Sequence, residues 1–103
     1  MRYDNMKAIK KVSVRNMTSN SSGREVANQF IIRDGKGHVF FQSYNSTIAV
    51  IDTRGFPEKV MLDRNKWDYS RTTGKYRNQF LGENKKETQR KIDSGKYKLV
   101  NLN

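Results

Sequence analysis

The stretch that decides the fold is residues 28–44, NQFIIRDGKGHVFFQSY. Two runs of aromatic and β-branched residues, 30–32 and 39–41, lie on either side of an Asp-Gly pair. Such runs favour strands, and Asp-Gly between two strands favours a hairpin because glycine accepts the positive φ angle of a tight turn. The glycines around Lys36 lack the spacing and the strand-to-helix context of a phosphate-binding loop, so we interpret them as the turn.

Further strands are predicted on both sides of this hairpin. The run TIAVID (47–52) is short and mostly apolar, which is typical of a strand buried on both faces. KVMLD (59–63) follows a turn that contains glycine and proline (53–58), and it predicts another strand. Val12 and Val14 alternate with polar residues, as in a strand with one solvent-facing side.

A first helix is predicted between residues 70 and 82. Tyr76 and Phe80 are four residues apart and therefore share one helical face, while Gly82 is a suitable C-terminal cap. A hydroxyl side chain that accepts a hydrogen bond from the first turn favours the start of a helix. The candidates for this N-terminal cap are Ser70, Thr72 and Thr73.

A second helix is predicted to begin at Asn84 and to end before Gly95. Glu87 lies three residues after Asn84, which is the spacing of a capping box. Glu87 and Lys91 are placed for a favourable i,i+4 ion pair. Ile92 is the one strongly apolar residue in this segment, so we expect most of the second helix to face solvent.

The order of these elements predicts an α+β fold. We expect a small antiparallel sheet of about four to five strands, two short helices near the C-terminus, and a closing strand in KYKLVNLN (96–103). The length of 103 residues predicts a single domain spanning 1–103. Residues 1–11 are predicted to be a mobile basic N-terminal arm.

The charge of the chain is strongly positive and unevenly distributed. Lys and Arg total 21 against 10 Asp and Glu, a net charge of +11. Residues 64–103 carry a net charge of +7, residues 1–37 carry +5, and residues 38–63 between them carry −1. Such a charge attracts polyanions such as DNA or RNA, or the acidic surface of a protein.

Several classes of function are disfavoured by composition. The chain contains no cysteine, so thiol chemistry, disulfides and Cys-ligated metals are excluded. No apolar run approaches the length of a signal peptide core or a membrane span, and we expect no membrane association. With one histidine, His38, a zinc site is not expected, and we interpret His38 as a structural strand residue.

Three carboxylates give weak support for a catalytic metal site. Asp52, Glu58 and Asp63 are close in sequence and faintly resemble the acidic set of metal-dependent nucleases. The usual order of acids and lysine is not met, Asp52 precedes a turn, and Asp63 is placed to cap a helix. We therefore predict that the protein is not an enzyme and binds no metal or cofactor.

The segment WDYSRTTGKYRNQF (67–80) combines four aromatic residues with three cations. Helical spacing assigns Trp67, Tyr76 and Phe80 to the core of a domain that has few apolar residues. Tyr69 is the aromatic residue expected to remain exposed. The cations of this segment, Arg71, Lys75 and Arg77, are expected to face solvent.

Several motifs resemble a family of small uncharacterised proteins encoded by tailed bacteriophages. They are residues 67–70, KYRNQFLG (75–82), SGKYKL (94–99) and SYNSTIA (43–49), and the resemblance extends from about Val12 to the end. It implies a phage accessory protein that acts in the cytoplasm of the infected bacterial host. No activity is established for that family, so the resemblance implies no catalytic or binding residues.

The leading hypothesis is a non-enzymatic accessory protein that binds DNA or RNA through a basic face. Its cations would contact phosphates, and an exposed tyrosine would stack on unpaired bases. The candidate binding residues are Tyr69, Arg71, Lys75, Arg77, Lys85, Lys86, Arg90 and Lys91. No named nucleic-acid-binding motif accompanies them.

Two other hypotheses remain open. The first is an inhibitor that acts in host takeover or anti-defence, by direct binding to an acidic bacterial host or defence protein. The second is a homo-oligomer, because the two edges of a small sheet can pair between copies of the chain.

Overall fold

The computed structural model describes residues 12–103. The predicted basic arm at 1–11 lies outside these residues. The described chain contains six strands and two helices: β1 (Ser13–Thr18), β2 (Glu25–Arg33), β3 (His38–Ser43), β4 (Ser46–Asp52), β5 (Lys59–Asp63), α1 (Arg71–Leu81), α2 (Lys85–Asp93) and β6 (Tyr97–Val100).

The strands form one sheet in the order in which they occur along the chain. Strands β1 to β5 pair antiparallel with their neighbours, whereas β6 pairs parallel with β5. A parallel pair needs a long crossover connection, and α1 and α2 provide it. The predicted α+β class is confirmed. The sheet has slightly more strands than expected, and the closing strand is its one parallel member within the described chain.

The predicted hairpin is present between β2 and β3. Gly35 and Gly37 have φ angles of 73° and 97°, in the region that favours glycine. A Cβ atom on Gly37 would lie 2.5 Å from Cγ of Arg54, so a side chain at this position would also force Arg54 to move. The Asp34 carboxylate accepts hydrogen bonds from the backbone N–H groups of Lys36 (2.7 Å) and His38 (3.1 Å), which closes the turn.

The ends of both helices follow the predicted caps. The Ser70 hydroxyl accepts a hydrogen bond from Thr73 N (3.1 Å), and Gly82 adopts the left-handed conformation after α1. Asn84 Oδ1 accepts from Glu87 N (2.9 Å) at the start of α2. These side chains satisfy backbone groups that a helix leaves without partners at its ends.

The core lies between the helices and one face of the sheet, which we call the inner face. A row of residues in register crosses this face: Ile31, Phe41, Ala49, Leu62 and Leu99. The rings of Phe41 and Phe80 stack across the layers with centroids 5.7 Å apart. Trp67, Tyr76 and Phe80 all pack in or against this core, which confirms their predicted role.

The opposite face of the sheet, which we call the outer face, also carries an apolar row. It consists of Val14, Ile32, Phe40, Val50 and Met61, paired in register across five strands. The described helices pack on the inner face, so this row receives no helix from residues 12–103.

Strand β1 is oriented differently from our expectation. Val12 and Val14 were predicted to form its buried side, but they are 62% and 61% exposed. The residue of β1 that enters the core is Met17. The reason is that Val14 pairs with Ile32 on the outer face, while the helices cover the inner face.

Within residues 12–103, no helix has both the length and the apolar character needed to cross a membrane.

Candidate nucleic-acid interface

The exposed side of α1 presents two cations one helical turn apart. Arg71 and Lys75 are both exposed, and neither forms an ion pair with another residue of the described chain. Tyr69, immediately before the Ser70 cap, is 48% exposed, as predicted. Three of the eight candidate residues therefore form one accessible surface at the start of α1.

Arg77 does not belong to this surface, and the prediction that it faces solvent is wrong. Its side chain is 1% exposed, and its guanidinium lies 5.0 Å from the centroid of the Trp67 ring. It donates hydrogen bonds to Trp67 O (2.6 Å), Asp68 Oδ1 (3.1 Å) and Asn78 Oδ1 (2.9 Å). The reason is geometric, because position 77 lies beside Thr73 on the inward side of α1. The arginine therefore packs against the core and stabilises it.

Asp68, which lies just before α1, links that helix to the first residue of α2. It accepts from the buried Arg77 and forms an ion pair of 2.6 Å with Lys85 at the start of α2. Partial burial raises the pKa of the Asp68 carboxyl, but hydrogen bonds and charge from Lys85 and Arg77 outweigh this and hold the pKa below its ordinary value. The positive charge of Lys85 is thus partly neutralised.

Lys91 is the second candidate that is not freely exposed, because it pairs with a buried carboxylate. Its side chain is 20% exposed, and Nζ lies 2.6 Å from Oε1 of Glu83. The expected ion pair of Glu87 with Lys91 is absent from the described chain, since Glu87 pairs with Arg90 instead (2.9 Å). The sequence suggested a mostly cationic face on α2, but three of its four candidate cations are paired with carboxylates.

The Glu83 carboxylate accepts the hydrogen bonds of a small buried network of side chains. The Thr88 hydroxyl (2.6 Å), the Tyr97 hydroxyl (2.8 Å) and Lys91 Nζ all donate to its carboxylate. Burial raises the pKa of Glu83, but these donors stabilise the ionised form and hold the pKa below its usual value. The network joins α2 to β6 and so fixes the parallel strand against the helix.

An additional exposed aromatic residue, which was not among the predicted binding residues, lies in the turn between β3 and β4. Tyr44 is 50% exposed and has a φ angle of 56°. The hydroxyl of its neighbour Ser43 is 2.9 Å from that of Thr73 in the first turn of α1. The signal available in the sequence was an aromatic residue within a two-residue turn, but the contact that places this turn beside α1 joins Ser43 to Thr73, thirty residues away.

The only histidine belongs to a charged cluster at the other end of the strands. His38 Nδ1 lies 2.7 Å from Asp34 Oδ2, and Arg54 forms a bidentate pair with Asp52. The hydrogen bonds from Arg54 hold the pKa of the Asp52 carboxyl far below its usual range. This arrangement fits a structural role for His38 at the start of β3.

The three carboxylates considered for metal binding do not converge. Asp52 pairs with Lys59 at the start of β5, whereas Asp63 ends that strand. Asp63 is 1% exposed and accepts from the backbone of Leu102 (2.8 Å) and Asn65 (3.2 Å), so it anchors the C-terminal segment and a turn. The expectation that Asp63 caps a helix is wrong. Within residues 12–103, no group of three His, Asp or Glu side chains is arranged to hold a metal ion.

The structure also contains a groove between the C-terminal half of α1 and the inner face. Its volume is about 310 Å³, and Ile31, Val39 and Ile51 contribute to its apolar lining. Arg33 and Glu58 line it as well, with opposite charges. The groove therefore lacks the single sign of charge that would select an anionic ligand.

Taken together, residues 12–103 form a small α+β fold with one sheet and two helices on its inner face, and they expose Tyr69, Arg71 and Lys75 on the outer side of α1 and just before it. Residues 12–96 match a family of unknown function (DUF8033), and the chain belongs to that family. No curated protein and no solved structure matches it.

Proposed function

We propose that this protein binds nucleic acid through the exposed side of α1. The observation that carries the proposal is the pair Arg71 and Lys75, which lie one turn apart and are unpaired within residues 12–103, next to exposed Tyr69. DNA and RNA both supply a dense row of negative charge to which two such cations can bind. The net charge of +11 adds long-range attraction.

The test is direct titration with labelled oligonucleotides at several salt concentrations. The logarithm of the binding constant falls as the logarithm of the salt concentration rises. Removal of one phosphate-binding cation should make this slope shallower by about 0.7 to 0.9. The double variant Arg71→Ala/Lys75→Ala should therefore lower that slope by about 1.4 to 1.8 and weaken binding about tenfold at low salt.

The matched control is Lys36→Ala/Lys96→Ala, which removes the same charge from exposed turns at the opposite end of the strands. It should leave most of the affinity intact. An equal loss in both variants would mean that only overall charge matters. No binding to DNA or RNA at low salt would refute the proposed function.

We also propose that binding is not coupled to catalysis. Asp52 is held by Arg54, Asp63 is held by backbone N–H groups, and Glu58 is exposed in the loop between β4 and β5. Labelled nucleic acid incubated with the protein and Mg²⁺ should stay intact. Degradation that is abolished by Asp52→Ala would contradict this part of the proposal.

The biological setting that we propose is a phage accessory role in the bacterial cytoplasm. Its support is the resemblance of residues 67–70, 75–82, 94–99 and 43–49 to small proteins of tailed bacteriophages. Detection of the protein in infected cells, and its absence before infection, is the measurement that tests this setting.

A second candidate function is inhibition of an acidic host or defence protein, and the outer face is the observation that favours it. Its apolar row ends beside Lys98, which pairs with Met61, and Lys59 lies on the same strand as Met61. Val50 at the centre of the row is 3% exposed, but Val14 at its edge is 61% exposed, and a partly exposed apolar row that ends beside lysines fits an acidic partner. A stoichiometric partner retained from host lysate after nuclease treatment, and no longer retained by Val14→Lys, would favour this function over nucleic-acid binding.

A further inference from the structure

Tyr44 occupies a backbone conformation that rarely holds an aromatic residue. Its φ angle of 56° lies in the left-handed region, where glycine or asparagine is the ordinary choice. The turn is held in place because Tyr44 N donates to Asn28 O (2.7 Å) and Gln42 Nε2 donates to Tyr44 O (2.8 Å). Half of the side chain is nevertheless exposed, so burial of the ring does not explain the conformation. An unfavourable conformation retained at a surface site points to a function for the ring.

Two contacts join the Tyr44 turn to the segment that contains Tyr69. Before the turn, the Ser43 hydroxyl contacts the Thr73 hydroxyl (2.9 Å). After it, Lys66 Nζ donates to the Ser46 hydroxyl (2.8 Å). Residues 66 and 73 lie on either side of Tyr69, so both exposed tyrosines are at the same end of the molecule. We call the group Tyr44, Lys66, Tyr69 and Arg71 the tyrosine end.

The charges at the tyrosine end are positive. Lys66 keeps donor capacity beyond its bond to Ser46, since an ammonium group has three donors. Arg71 is exposed and unpaired within the described chain. The nearby carboxylates are already engaged, because Asp68 binds Arg77 and Lys85, while Asp63 accepts from backbone N–H groups.

We propose that the tyrosine end binds single-stranded nucleic acid, with unpaired bases stacked on Tyr44 and Tyr69 and adjacent phosphates bound by Lys66 and Arg71. This inference rests on the proposed function and adds that the bound nucleic acid is single-stranded. Exposed aromatic rings with neighbouring cations are the recurrent means of holding single strands, because every base has a face that can stack. In a duplex the bases already stack on one another, so the two rings would gain nothing there.

The test compares four probes with the wild-type protein and Tyr44→Gly. The probes are dT20, rU20, and 20-base-pair DNA and RNA duplexes, all titrated at the same salt concentration. Loss of one stacked base should weaken single-strand binding by about 5- to 150-fold. Tyr44→Gly should show that loss with dT20, rU20 or both, and should bind the duplexes as the wild type does. Comparison of dT20 with rU20 reports whether DNA or RNA is preferred.

The same variant separates function from folding. Glycine is the residue best suited to a positive φ angle, so Tyr44→Gly should unfold at the same temperature as the wild type or higher. Tyr44→Phe should keep single-strand binding, because stacking needs the ring and not the hydroxyl. If Tyr44→Gly proves unstable, Tyr44→Asn also fits the left-handed region and should show the same selective loss.

The outcomes distinguish this inference from the function on which it rests. Binding of single strands and duplexes with equal affinity, unchanged in Tyr44→Gly, would overturn the inference and leave the proposed function standing. Failure of all four probes to bind at low salt would overturn both.

Discussion

The tyrosine end carries two cations and helix α2 carries four, and the two regions present them in opposite ways. Arg71 and Lys66 at the tyrosine end form no ion pair within residues 12–103, whereas Lys85, Arg90 and Lys91 of α2 each pair with a carboxylate. The count of basic residues made α2 look at least as suitable for a polyanion. The positions of Asp68, Glu83 and Glu87 show that much of its charge is used inside the protein.

The difference teaches that the location of carboxylates, and not the number of cations, decides which surface remains positive. The same difference separates the candidate cations into two groups with different roles. Cations paired with buried carboxylates support the fold, and unpaired cations beside exposed rings are available to a ligand.

The largest effect is expected from Arg77→Ala, which tests whether a cation paired inside the protein supports the fold. Removal of a buried guanidinium that holds Trp67 O and Asp68 should destabilise the protein by about 3 kcal/mol. Urea denaturation measures this loss. The matched control is Lys75→Ala, two positions earlier on the exposed side, which should change stability by less than about 0.5 kcal/mol. Similar losses in the two variants would contradict the assignment of Arg77 to the core.

A smaller effect is expected from Glu83→Gln, and it depends on pH. Because the folded-state pKa of Glu83 is below its unfolded value, the ionised carboxylate stabilises the fold above about pH 4.5. That contribution is lost as the pH falls through the folded pKa. Glu83→Gln should cost about 1 kcal/mol at pH 7 and make the decline in stability at acid pH shallower.

The pH effect is measured by urea denaturation at pH 7, 5, 4 and 3. Glu58→Gln is the control, because Glu58 is exposed and makes no ion pair within the described chain, so the wild-type profile should remain. A Glu83→Gln profile identical to that of the wild type would show that the buried network does not contribute to acid sensitivity.

The smallest effect is expected from Arg90→Ala, which tests whether a paired cation of α2 contributes to binding. Arg90 is exposed, but Glu87 already offsets its charge, so removal of the guanidinium changes the local field little. Binding to dT20 should weaken less than about twofold, against about tenfold for Arg71→Ala/Lys75→Ala. A larger loss for Arg90→Ala would move the proposed interface to α2.

Local features of the sequence were sufficient to predict most of the fold. The Asp-Gly turn, the Ser70 and Asn84 caps and Gly82 each act within a few residues, so their geometry follows from residue type. The parallel pairing of β6 was not predicted, because it depends on how two helices return the chain to β5. The solvent-facing side of β1 was predicted wrongly, since alternation alone does not say which face the helices cover.

The site was less predictable, because it depends on contacts between residues distant in sequence. Tyr69 was identified because the other aromatic residues of 67–80 were assigned to the core, but the burial of Arg77 depends on Asp68 nine residues away. Lys91 was assigned to Glu87, one turn away, whereas it pairs with Glu83 in a network that also includes Tyr97. The turn that carries Tyr44 is placed beside α1 by a bond between Ser43 and Thr73, thirty residues apart, for which the sequence offers no local signal.

The parallel pairing of β5 with β6 has a consequence for the order in which the molecule folds. Strands β1 to β5 pair with their neighbours in sequence, so each pairing closes a short loop at low entropic cost. Leu99 can pair with Leu62 only after the chain has passed through both helices. We expect β6 to dock last, so that Leu99→Ala should accelerate unfolding and leave the folding rate nearly unchanged in stopped-flow measurements.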